Sequence, residues 1–132
     1  MKLHHIGIVV ADLSEAIIYY RDIFGLSVIR EAVKDHIQKV EVVFFETGAG
    51  NDLMLELIRP ITEDSPVRKF LEKGGGVHHF GFEVDEIHEA IKEMREKGAL
   101  ILGDPLPGKG HYDKLTAWLF TKKKELVELV EK

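Results

Sequence analysis

The chain has 132 residues, 45% hydrophobic and 31% charged, with 18 basic against 23 acidic side chains, a net charge of −5, seven His and no Cys. This is the length of one domain, able to bury roughly two thirds of the surface its unfolded form exposes, and too apolar to stay disordered. The absence of Cys excludes disulfides, thiolate metal sites and Cys nucleophiles, the acidic balance disfavours a nucleic-acid binder, and no apolar run approaches the 18 or so residues of a membrane span.

In chain order, Leu3 to Val10 reads as a strand rich in β-branched residues. It enters this pattern directly from Met1 without the features of a signal peptide, so the expected compartment is the cytoplasm. Asp12 is an N-cap signal with Glu15 three residues on, and Leu13, Ala16, Ile17, Tyr20 and Phe24 follow at helical spacing up to a stop at Gly25. Strands are expected over about 26–34, 39–47 and 52–59, with Gly48-Ala49-Gly50-Asn51 turning between the last two. Ser65-Pro66 reads as the start of a short linker helix through Phe70 and Leu71, stopped by Gly74-Gly75-Gly76. A strand over 77–84 follows, then an N-cap at Asp85 and a helix carrying Ile87, Ala90, Ile91 and Met94 up to Gly98. Strands near 99–103, 115–121 and 125–131 complete the chain, and the Gly- and Pro-rich segment 103–114 is expected to be a mobile loop or lid.

The chain repeats itself. Residues 4–17, HHIGIVVADLSEAI, match residues 78–91, HHFGFEVDEIHEAI, at an offset of 74, and 8 of the 18 positions from His4 to Arg21 recur identically. The whole is therefore an α+β chain of two tandem βαβββ modules in one domain, with module 1 over about 1–60, the linker over about 62–76 and module 2 over about 77–132.

The repeat puts His5 and His79 at equivalent places on first strands, each followed by a Glu in an apolar last strand. The spacings are 51 residues to Glu56 and 49 to Glu128. Either His alone reads as well as a satisfied core histidine, and either Glu alone as a solvent-facing strand residue. Together, at matched positions, they are hard to explain by surface polarity and suggest a four-ligand site of two imidazoles and two carboxylates. That donor set suits Zn²⁺, Ni²⁺, Co²⁺, Mn²⁺ or Fe²⁺, and it offers a partner to carboxylates that are costly to bury alone. On an octahedral ion, four protein ligands leave two positions open for Lewis-acid chemistry. The remaining His read more plainly. His4 and His78 point to the opposite strand face, His36 and His88 to solvent, and His111 lies in the loop, within possible reach of a substrate.

The duplicated βαβββ pattern with these ligands resembles the vicinal oxygen chelate superfamily of glyoxalases, bleomycin-resistance proteins and dioxygenases. Within it, HHIGIVV, the stretch LELIRPITEDSPVRKFLEKGGGVHHFGFEV and the closing ELVELVE are most similar to methylmalonyl-CoA epimerases. The resemblance implies curved mixed sheets forming a half-barrel around a divalent ion (Co, Ni, Zn or Mn), held by His5, Glu56, His79 and Glu128. It implies an isomerase that works through an enolate on a small-molecule thioester or thiol adduct, with Glu128 as a base that doubles as ligand and Glu41 as a second base if its strand turns it inward. It also implies a homodimer. The same ligands match glyoxalase I-like lactoylglutathione lyases, and a non-catalytic ligand-binding or resistance protein is a third reading. A ring-cleaving dioxygenase is disfavoured by the fourth ligand, Glu56. Lys122 to Lys124 read as a charged β-turn, with Arg59 and Lys114 as weaker candidates for anion contacts.

Overall fold

A computed structural model describes all residues, 1–132. The chain divides into two compact units, His5–His78 and the pair of segments Met1–His4 with His79–Lys132. No helix is long and apolar enough to cross a membrane.

The first half runs β1 (Lys2–Val9), α1 (Leu13–Phe24), β2 (Ser27–Asp35), β3 (Val40–Glu46), β4 (Met54–Pro60) and α2 (Arg68–Glu72). The second runs β5 (Gly76–Val84), α3 (Ile87–Glu96), β6 (Leu100–Ile101), β7 (Leu106–Gly108), a 3₁₀ turn Lys109–His111, β8 (Lys114–Phe120) and β9 (Leu126–Glu131). The result is the mixed α+β class expected.

Within His5–His78 the strand order is β2-β3-β4-β1, with β1 parallel to β4 and the other pairs antiparallel. β3 and β4 are buried on both faces. Val43, Phe45 and Leu57 pack with Ile8 against Leu13, Ala16, Ile17 and Tyr20 of α1. The alternate residues Val40, Val42, Phe44 and Ile58 join Val67, Phe70 and Leu71 of the linker on the other face. Asp12 caps α1 as expected, accepting from the Glu15 N–H at 3.0 Å, and Gly25 closes it in the left-handed region with φ 66°. Phe24 lies outside the buried stripe and is exposed, stacked beside Tyr20.

The linker helix is shorter than expected. Ser65 begins a turn, its carbonyl accepting from the Arg68 N–H, and the helix starts two residues later after Val67 with no side-chain cap. One of the glycines after it has a steric reason. Gly75 sits at φ +68°, and a Cβ there would lie 2.7 Å from the Val9 carbonyl oxygen. Gly75→Ala is expected to destabilise the protein by roughly 1–3 kcal/mol, read as a lowered Tm. An unchanged Tm would mean that the turn can move off β1.

Within the other unit the order is β5-β9-β8-β6, with β5 parallel to β9 and β7 also paired to β8. This is the pattern of the first unit again, with one change. The single edge strand β2 is matched by two short pieces, β6 and β7, broken at Gly103-Asp104-Pro105. The segment 103–114, expected as a mobile loop, is thus half of an edge strand followed by a tight turn, with Gly108, Gly110 and His111 buried. Ile87, Ala90 and Ile91 of α3 close the core against Ala117, Leu119, Val127 and Leu129.

The N-cap of α3 is Glu86, not Asp85. Its carboxylate accepts from the Glu89 and His88 N–H groups, which hold it below the usual carboxylate range. Glu86 is the repeat counterpart of Asp12 at the same offset of 74, so the duplication places the cap where composition alone does not. Glu131 adds a second acceptor, taking the Ile87 N–H at 2.9 Å.

Candidate metal centre

The parallel strand pairs build the candidate site in the same way twice. In one unit Gly7 of β1 lies opposite Glu56 of β4, and in the other Gly81 of β5 lies opposite Glu128 of β9. The His sits two residues before the Gly, on the same strand face. Gly carries no side chain, so the carboxylate opposite it can lean along the strand toward the imidazole. His5 Nε2 lies 3.5 Å from Glu56 Oε1, and His79 Nε2 lies 3.9 Å from Glu128 Oε1. The two glycines were legible as identical positions of the repeat, and sequence reasoning gave them no role.

All four side chains are buried, at 0% exposure for His5, 5% for Glu56, 2% for His79 and 2% for Glu128. This disposes of the solvent-facing alternative for both Glu residues. Ring contacts fix the imidazoles, His5 edge-on to Phe44 at 5.9 Å and His79 edge-on to Trp118 at 4.6 Å. Carboxylates buried this deeply demand compensation by positive charge or hydrogen-bond donors. His5 and Glu56 in one unit, and His79 and Glu128 in the other, are donors that could hold a metal ion, and their nitrogen and oxygen atoms suit a divalent first-row ion.

Glu41 lies on β3, beside the strand that carries Glu56. It pairs in register with Arg59, whose Nε donates to Glu41 Oε1 at 2.7 Å. Phe44, three residues on, is the residue opposite Glu56. By strand alternation Glu41 shares a face with Val43 and Phe45, as expected, but that face packs on α1 and lies opposite to the one carrying Glu56. Both faces of β3 are buried, so inward-pointing neighbours do not identify the face that holds the His–Glu pair.

His111 meets Glu128. It is 3% exposed, and its Nε2 lies 3.0 Å from Glu128 Oε1. His4 stands edge-on to it, with ring centroids 5.6 Å apart, while His78 packs on Phe70 of the linker helix. His36 and His88 are exposed, as expected, and Lys122 to Lys124 form an exposed turn between β8 and β9. Lys114 is also exposed.

A family model described as the glyoxalase/bleomycin resistance protein/dioxygenase superfamily matches residues 4–114. The chain belongs to that superfamily. Methylmalonyl-CoA epimerases are among its relatives there. The mitochondrial methylmalonyl-CoA epimerase of Dictyostelium discoideum is 37% identical over 99% of this chain and 78% of its own length. The ethylmalonyl-CoA/methylmalonyl-CoA epimerase of Cereibacter sphaeroides is 36% identical over 92% of this chain and 89% of its own. A variant of the Streptomyces coelicolor methylmalonyl-CoA epimerase, solved in complex with 2-nitronate-propionyl-CoA, superposes with a TM-score of 0.86. That structure is 31% identical and covers all of this chain and 97% of its own.

Proposed function

We propose that the chain is a divalent-metal-dependent epimerase that inverts C2 of methylmalonyl-CoA or a closely related 2-acyl thioester through an enolate. The observation that carries this reading is the pair of buried His–Glu sets at repeat-equivalent positions, in a chain 37% and 36% identical to epimerases over nearly its whole length. In this reading His5 and Glu56 of one unit, and His79 and Glu128 of the other, are metal donors, with Co, Ni, Zn and Mn all compatible with them. A bound ion of this kind supplies Lewis acidity, which stabilises the negative charge that develops on the thioester side as the C2 proton leaves.

The chain's own residues do the rest. Glu128 takes the C2 proton onto a carboxylate oxygen, and its burial keeps water from competing for that position. In this reading the proton returned to the opposite face comes from a donor other than Glu41, because the Glu41 carboxylate accepts from Arg59 Nε. Accordingly, Glu41→Gln is expected to leave C2 exchange within about threefold of the parent, far short of the roughly 10²-fold or greater loss of a general base. A loss of that size would restore Glu41 to the mechanism. A cytoplasmic homodimer completes the reading, and sedimentation of the purified protein checks the dimer.

The decisive experiment is deuterium incorporation at C2 of methylmalonyl-CoA in D₂O with metal-loaded protein. Exchange supports the epimerase. Its absence, with turnover of the methylglyoxal–glutathione hemithioacetal, would transfer the same ligands and base to a glyoxalase I-like lyase. Absence of both, with tight binding of a small ligand, would point to a non-catalytic binding protein.

A further inference from the structure

We propose that His111 is a positioning residue for Glu128, holding the carboxylate in the one orientation from which it can both ligate and accept a proton. This rests on the assignment of Glu128 made above. A strand backbone places the Glu128 Cβ, but the side-chain torsions beyond it stay free unless something selects one rotamer. His111 Nε2 lies at hydrogen-bond distance, 3.0 Å, from Oε1, the same oxygen that lies 3.9 Å from His79 Nε2. A bond from a rigid ring to one oxygen sets the plane of the carboxylate, and so where both oxygens point. Partners of ligating groups act in this way in metal sites generally.

The segment around His111 is shaped to deliver it. Lys109–His111 is one 3₁₀ turn, followed by Tyr112 at φ 56° and Asp113 at φ 63°, two successive non-Gly residues in the left-handed region. That backbone is costly and persists only where its surroundings enforce it. The Asp113 N–H closes the turn on the Gly108 carbonyl at 3.0 Å, and Lys109 Nζ pairs with Asp113 Oδ1 at 2.8 Å. Gly108 leaves the space the ring needs, since a Cβ there would lie 3.1 Å from His111 Cδ2 and 2.9 Å from Thr116 Cγ2. The ring is therefore held on the side of the backbone as well as at the carboxylate.

Two substitutions of similar volume test this. His111→Gln keeps a side-chain N–H able to donate, whereas His111→Met fills the space without one. His111→Met is expected to lower kcat for C2 exchange by about 10- to 100-fold with KM within about twofold, and to weaken Co²⁺ binding to the metal-free protein by about tenfold. His111→Gln is expected to recover most of both, with thermal melts showing both variants folded at the assay temperature. Parent-like kcat and Co²⁺ affinity in His111→Met would overturn the proposal, as would a His111→Gln protein no better than His111→Met. Glu128→Gln, run alongside, separates the two levels. If it is active, the assignment of Glu128 fails and this inference with it. If it is inactive while His111→Met behaves as the parent, only the role of His111 fails.

Discussion

Glu128→Gln is expected to reduce C2 proton exchange by at least about 10³-fold, because under the proposed function the change removes a general base and a charged ligand in one step. Gln keeps the shape of the side chain and still offers an oxygen to His111 Nε2, so the fold should survive and the melting temperature should stay near that of the parent. The internal symmetry of the protein supplies the control. Glu56 occupies the equivalent position in the other unit, also buried and 3.5 Å from its His, yet under the proposed function it only ligates. An amide oxygen can also ligate a divalent ion, so Glu56→Gln should lose much less. Equal losses in both variants would mean that Glu128 has no duty beyond ligation, and an active Glu128→Gln enzyme would remove it from the chemistry altogether.

The second large effect should come from residues with no functional group. Gly81→Val places a β-branched side chain directly opposite Glu128, on the strand face that carries His79, whose Nε2 lies 3.9 Å from Glu128 Oε1. The strand itself should accept valine, which favours extended backbone, at an overpacking cost of roughly 1–3 kcal/mol. The carboxylate should not be able to accept it, because the branched methyls fill the space between Glu128 and His79. Metal content by elemental analysis is expected to fall from stoichiometric to near background in a protein that still melts cooperatively. Gly7→Val should do the same through Glu56. Full metal content in either variant would show that the glycines are tolerated rather than needed.

Much of the fold was legible because repetition in the chain is repetition in space. The strand and helix types, the Asp12 cap, the stop at Gly25 and the matched His and Glu pairs all follow from local pattern and from the offset of 74. The same offset carries more than residue-by-residue reading extracts from it. It moves the second helix cap from Asp85 to Glu86, and it marks Gly7 and Gly81 as equivalent positions.

Other features depend on pairing between segments far apart in the chain. A one-residue change of strand register moves every side chain to the other face. Val42, Val43, Phe44 and Phe45 are all buried, so β3 shows no alternation from which its faces could be told apart. Only its register against β4 turns Glu41 to Arg59 and leaves Phe44 opposite Glu56. In the same way, Gly and Pro in 103–114 signal a break in regular structure but not what the break packs against. Pairing with β8 turns that segment into β7 and a 3₁₀ turn, and so carries His111 to Glu128. The sequence by itself determined the modules and which residues could ligate or carry protons. The tertiary structure decided which of those residues meet, because strand pairing, not composition, sets the direction of each side chain.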